Sequence, residues 1–414
     1  MTHPAVRSAA RAAFAAACSV VLAACGDACR SRSSTRDGGD GEAPTVTLAK
    51  EQLPRCRADG PHLAVAGEDV AVGDAVVTGS ELWVGVARRV GGKRVASVLR
   101  VGLDLARASY VELGPARGDD PPPRPFGGPR GEVWVAWYAP TPGDAGAART
   151  RVLEVRPADP VDAGARRGGS VVQAIDESLA FDVAAAGDSA LVAWDEDAPP
   201  GDRGVVKVQL LGAAPRAASP DGTDAESPRL APREGGGYWL AWLARRPEAV
   251  DASSELEGPG ESRTFRWVEV RELNAAGEPT GDVMTIGGPT SHTRSFELTS
   301  HARGALVVTV DDAGGTAAYA VGGAQRVVAL PQVDGGVGKV TPDLVPLDAG
   351  AGWLAWADEA DDVHLVPLFG DGGLGPGTDE PALAGARMIA AHGEAAFALG
   401  GPGGPSELRR FVCK

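Results

Sequence analysis

The chain has 414 residues, 43% of them hydrophobic, enough to bury a large core, and 55 acids against 40 bases give a net charge of −15. A surface that acidic repels phosphate backbones, so a nucleic-acid partner is excluded on charge. The 57 glycines and 32 prolines mark a turn-rich chain, below the range of disordered low-complexity sequences.

Residues 1–25 read MTHPAVRSAARAAFAAACSVVLAAC. Arg7 and Arg11 precede an apolar run from Ala12 to Ala24 that is too short to span ~30 Å of hydrocarbon as a helix. This is the layout of a secretory signal. Leu22-Ala23-Ala24-Cys25 resembles the lipobox of bacterial lipoproteins: a branched apolar residue, two small ones, then Cys. The resemblance implies removal of residues 1–24 and a Cys25 that carries the lipid anchor. In that family an Asp directly after the Cys signals inner-membrane retention. Gly26 stands there and the Asp comes one later, at Asp27, so the resemblance points to the outer membrane of a Gram-negative envelope. The Ser-, Gly-, Asp- and Arg-rich residues 25–50 have no apolar periodicity and read as a disordered tether. Residues 51–414 form the third segment.

That segment repeats a short unit: WVGV at 83–86, WVAW at 134–137, LVAW at 191–194, WLAW at 239–242, LVVT at 306–309, WLAW at 353–356 and AFAL at 396–399. Eight of the nine tryptophans fall inside these units; Trp267 alone lies outside. The third position is small in all but one, Val308, and a glycine precedes each unit, suited to the positive φ of a tight turn. In a strand, Trp239 and Ala241 share one face while Leu240 and Trp242 share the other. Both faces are apolar, so both must be covered, as in a sheet held between two like sheets with small residues where a neighbour's Trp intrudes. Flanking stretches such as LAFDV (179–183), VVKVQLL (205–211), FRWVEVREL (265–273) and PDLVPL (342–347) complete four short antiparallel strands per unit. The spacing averages about 52 residues, and residues 52–414 accommodate seven such units. Seven four-stranded units resemble an all-β, seven-bladed β-propeller, with six or eight blades left open.

The last unit is one strand short, and residues 52–66 (QLPRCRADGPHLAVA) are the candidate to complete it. Cys56 lies there and Cys413 in the final strand. In an exported protein they can form a disulfide that staples the ring. Cys29 in the tether is a competing partner for Cys56.

The six histidines form no cluster with ligand spacing, so no metal and no cofactor is expected. Acidic runs follow three of the repeated strands: Asp195-Glu196-Asp197, Asp311-Asp312, and Asp358-Glu359 with Asp361-Asp362. On equivalent loops they would make an electronegative rim on one face. No glutamate stands twelve positions on from Asp195, where an EF-hand would need one; Val206 does. There is no GxSxG elbow, no repeated S-x-D-x-G-x-T-W turn of the sialidase-like propellers and no recurring Trp motif of the quinoprotein propellers. No catalytic residues are assigned. The reading is a membrane-anchored envelope lipoprotein whose propeller binds or scaffolds an unknown protein or glycan partner. The alternative is a propeller-type carbohydrate-active enzyme, a glycosidase or lyase, marked by carboxylates converging at the mouth of the central channel.

Overall fold

The computed structural model describes residues 56–118, 120–128, 130–139, 150–159, 168–174, 180–186, 189–198, 203–233, 235–247, 264–301, 304–312, 316–322, 326–329, 343–346, 352–357, 363–368, 378–400 and 406–413. The chain divides into two units, Met1–Val46 and Thr47–Lys414, and all described residues belong to the second. The signal segment, Cys25 and the tether therefore lie outside the described residues.

Hydrogen bonding groups the described strands into seven four-stranded sheets, antiparallel throughout. The first is β2 (Glu68–Thr78), β3 (Glu81–Val90), β4 (Lys93–Gly102) and β5 (Ala108–Pro115). The second is β6 (Arg124–Gly127), β7 (Val133–Ala139), β8 (Thr150–Pro157) and β9 (Gly169–Ala174). The third is β10 (Phe181–Ala186), β11 (Ser189–Ala198), β12 (Arg203–Leu210) and β13 (Arg216–Ala217). The fourth is β14 (Asp224–Pro232), β15 (Tyr238–Pro247), β16 (Thr264–Leu273) and β17 (Pro279–Ile286). The fifth is β18 (Thr293–His301), β19 (Gly304–Asp311), β20 (Thr316–Gly322) and β21 (Arg326–Ala329). The sixth is β22 (Asp343–Pro346), β23 (Gly352–Ala357), β24 (Val363–Leu368) and β25 (Thr378–Asp379). The last joins β26 (Ala386–His392), β27 (Ala395–Gly400), β28 (Glu407–Cys413) and, from the other end of the chain, β1 (Cys56–Ala64).

The first strand of each sheet lies against the first strand of the next, from β2 to β6 and onward to β26, which returns to β2. Sheets radiating from such a ring are the blades of a β-propeller.

Each of the seven repeated units occupies the second strand of its sheet. The packing explains their composition. Trp239, Ala241 and Leu243 of β15 pack with Phe296, Leu298 and Val307 of the following sheet. Leu240, Trp242 and Ala244, on the opposite face, pack with Leu191, Ala193 and Val206 of the preceding one. Burying one such ring stabilises by roughly 4–6 kcal/mol, as an upper bound. Ala136 packs in one cluster with Trp194 of the next sheet, and Ala193 with Trp242, as expected of the small third position. At Gly85 the intruding neighbour is backbone instead: a Cβ there would stand 1.6 Å from the carbonyl oxygen of Pro123, in the segment leading into the second sheet. The turn glycines behave as their position suggests: Gly79 has φ 61° and Gly393 φ 56°.

β1 closes the last sheet as the missing strand. Cys56 stands opposite Cys413 in the register, and the two form a disulfide across 357 residues of chain. The fourth sheet's first strand runs from Asp224 and its last begins at Pro279, so strand pairing extends through residues whose composition alone signals a loop.

Candidate functional site

The first strands carry one feature beyond packing: a circuit of charged residues around the axis, alternating in sign from Asp74 to Glu297. β2 contributes Asp74, β6 Arg124, β10 Asp182, β14 Arg229, β18 Glu297 and β26 Arg387. The local reason is in the register. Arg124 pairs with Ala136, Asp182 with Ala193, Arg229 with Ala241 and Glu297 with Val308, each the third position of a repeated unit. Directly opposed residues project to the same side of the sheet, and for Arg124, Asp182 and Arg229 an alanine partner leaves room for the charged side chain. Asp343 of β22 occupies the same register, opposite Ala355.

The charges bridge neighbouring sheets. Arg124 reaches Asp74 through Nε at 3.1 Å and Asp182 through Nη1 at 3.2 Å. Asp182 also accepts backbone N–H bonds from Val183 at 2.6 Å and from Leu230, in the next sheet, at 2.7 Å. Arg229 Nε lies 3.7 Å from Glu297 and its Nη1 donates to the Pro228 carbonyl at 3.0 Å. Arg387 donates to the Gly73 carbonyl at 3.2 Å, joining the last sheet to the first.

Solvent contact varies around this circuit. The Asp74 side chain is 52% open and that of Asp182 3%. The electrostatics follow. Arg124 holds the Asp74 carboxyl below the usual range against the opposing effect of burial, with help from Arg387 and Arg229. Burial pushes Asp182 up by more than Arg124, Arg229 and its two backbone donors pull it down. Glu297 is raised by burial, opposed by Arg229 and Arg124. Burial disfavours the charge on Arg124, but Asp182, Asp74 and Glu297 outweigh it and keep the guanidinium protonated.

Of the residues singled out in the sequence, Cys56 and Cys413 are brought together. The acids of the expected rim are not equivalent. Asp195 is no loop acid: it lies within β11, is 4% exposed, and accepts a 2.7 Å bond from the Ser227 N–H. Glu196 accepts from the Trp194 indole at 3.0 Å and pairs with Lys207. Asp197, Asp311 and Asp312 are exposed, while Asp358 and Asp361 lie outside the described residues. Pairing with β12 carries the strand past the tryptophan, which is why this acidic run is not a turn. Among the described residues no group of three or more His, Cys, Asp or Glu is arranged to hold a metal ion.

Trp267, the tryptophan outside the repeat, shares an acceptor with a repeated one. Glu269 takes the Trp242 indole at 3.0 Å and that of Trp267 at 3.1 Å.

No family model matches the chain, and no curated protein matches it. Solved structures do align with it. The β-propeller domain of the Trilobed protease from Pyrococcus furiosus aligns at 13% identity and TM-score 0.46, over 84% of this chain and 96% of that one. Raptor from Chaetomium thermophilum aligns at 10% identity and TM-score 0.49, over 88% of this chain and 30% of Raptor. Prolyl oligopeptidase B from Galerina marginata aligns at 10% identity and TM-score 0.48, over 80% of this chain and 47% of that one.

Proposed function

We propose that the chain is an envelope lipoprotein, anchored through a lipidated Cys25 to the outer membrane, whose propeller is a non-catalytic binding or scaffolding module. We read the propeller as seven-bladed, a reading supported by its seven sheets and the order in which their first strands adjoin. The non-catalytic role rests on the charge circuit. Asp74 and Asp182 share one guanidinium, Asp182 is further tied by two backbone donors, and Glu297 faces Arg229. Acids fastened in this way bind neighbouring blades to one another. Export is supported by the Cys56–Cys413 disulfide, a bond of oxidising compartments.

Mass analysis of the protein extracted from membranes with detergent tests the anchor. The expected mature N-terminus is Cys25 bearing diacylglycerol and acyl chains, and Cys25→Ser should move the protein to the aqueous fraction. An unmodified Cys25, or a protein that is aqueous without the substitution, contradicts the reading.

A second reading, a glycoside-cleaving propeller, is favoured by one observation: Asp74 is held low while Glu297 is pushed high, the divergence that separates a nucleophile or base from a general acid. Turnover of glycan substrates that disappears in Glu297→Gln, with the fold intact, would establish it in place of the first.

A further inference from the structure

The fastenings of β1 are concentrated at its first residue. Cys56 pairs in register with Cys413, is bonded to it through sulfur, and donates its N–H at 2.9 Å to Glu380, a carboxylate only 2% exposed. Glu380 follows β25 and is itself fixed, its N–H donating to the Val363 carbonyl of β24 at 2.8 Å. Cys413 in turn donates its N–H to the Glu394 carbonyl, in the turn before β27, at 2.8 Å. Residue 56 is thus tied to its own sheet and to the neighbouring one.

The rest of β1 is held weakly. It is an edge strand, most of its residues are exposed, and its pairing with β28 is interrupted between Ala58 and His62, around Gly60 and Pro61. Its side-chain ion pairs are at the surface, Asp59 to Arg410 and His62 to Glu407, and Leu63 is its one residue packed against the core between the first and last sheets. A strand of this kind peels readily when pulled from its end, because its bonds break one after another.

The first described strand begins at Cys56. We propose that Cys56 is a strain-relief point: pull from the N-terminal segment passes through the disulfide and the Glu380 bond into β28 and the adjoining blade, and β1 is not peeled from the ring. The proposal rests on the reading that this segment tethers the protein to a membrane. Its test needs no membrane, so the two can fail separately.

The test is single-molecule force spectroscopy on the full chain, with handles at the N-terminus and at a tag inserted in the exposed Gly91–Gly92 turn. The oxidised protein should show no extension of the β1 segment before the blades unfold. Dithiothreitol, which gives two electrons and two protons to the bond as it closes its own cyclic disulfide and so leaves two protein thiols, should add an early low-force step. That step should release roughly 3 nm, the length of nine extended residues. Glu380→Gln should lower the force of the step in the reduced protein. The Cys56→Ser/Cys413→Ser variant should reproduce the step without reductant. Traces that are the same with and without the bond, at equal unfolding forces, would overturn the proposal.

Discussion

Arg124 is the residue on which most of the inner circuit depends. It faces two carboxylates from two different sheets, and one of them, Asp182, has almost no solvent contact. Replacing Arg124 by Met keeps the aliphatic stem and leaves a buried carboxylate without its cation, which should cost about 3–5 kcal/mol, measured as a lowered denaturant midpoint. Glu297 should behave in the opposite sense. Its carboxyl is raised above the unfolded value, so the folded protein holds the proton more tightly than the unfolded one in the window between the two pKa values. Stability from this group is present below that window and declines as pH rises through it. Glu297→Gln, which mimics the protonated form, should therefore flatten the fall in melting temperature across that window. A slope identical to wild type would contradict the assignment. Gly85→Ala probes backbone approach: its Cβ would collide with the Pro123 carbonyl, so one strand must move, at about 1–3 kcal/mol. These charged residues were not legible in the sequence, because a lone Arg or Asp in a short strand reads as an ordinary solvated position. The signal that would have found them is relational. Arg124, Asp182 and Arg229 each stand opposite the alanine of the repeated unit one hairpin away, a relation visible only once strand pairing is known.

At the scale of elements the sequence said more. The repeated units were recognisable because a strand apolar on both faces has few uses, and its two-fold side-chain period assigned Trp239 and Trp242 to opposite faces, where they pack. The missing strand of the last sheet was deducible by counting. Acidic runs misled, since Asp195 and Glu196 look like turn residues but their partners are a backbone N–H and a lysine brought by other strands and the indole of Trp194 on their own strand. The closing element also carries a stability prediction. Breaking the 357-residue disulfide loop removes at most about 5–6 kcal/mol by the chain-entropy expression. Calorimetry should show a lower melting temperature in dithiothreitol and in Cys413→Ser, with wild type unaffected by an alkylating agent alone.

At the scale of the whole propeller, one ring of blades has its ends joined, with apolar wedges between the sheets and a charged circuit at the axis. Those features depend on the closing sheet drawing strands from both ends of the chain. If the ring were open at that place, β1 would have no partner and the packing of β26 on β2 would be unsupported. Peptide mapping of the purified protein under non-reducing conditions tests this most directly. The account predicts a linked pair of peptides containing Cys56 and Cys413; free thiols at both positions, or a bond between Cys56 and Cys29, would contradict it.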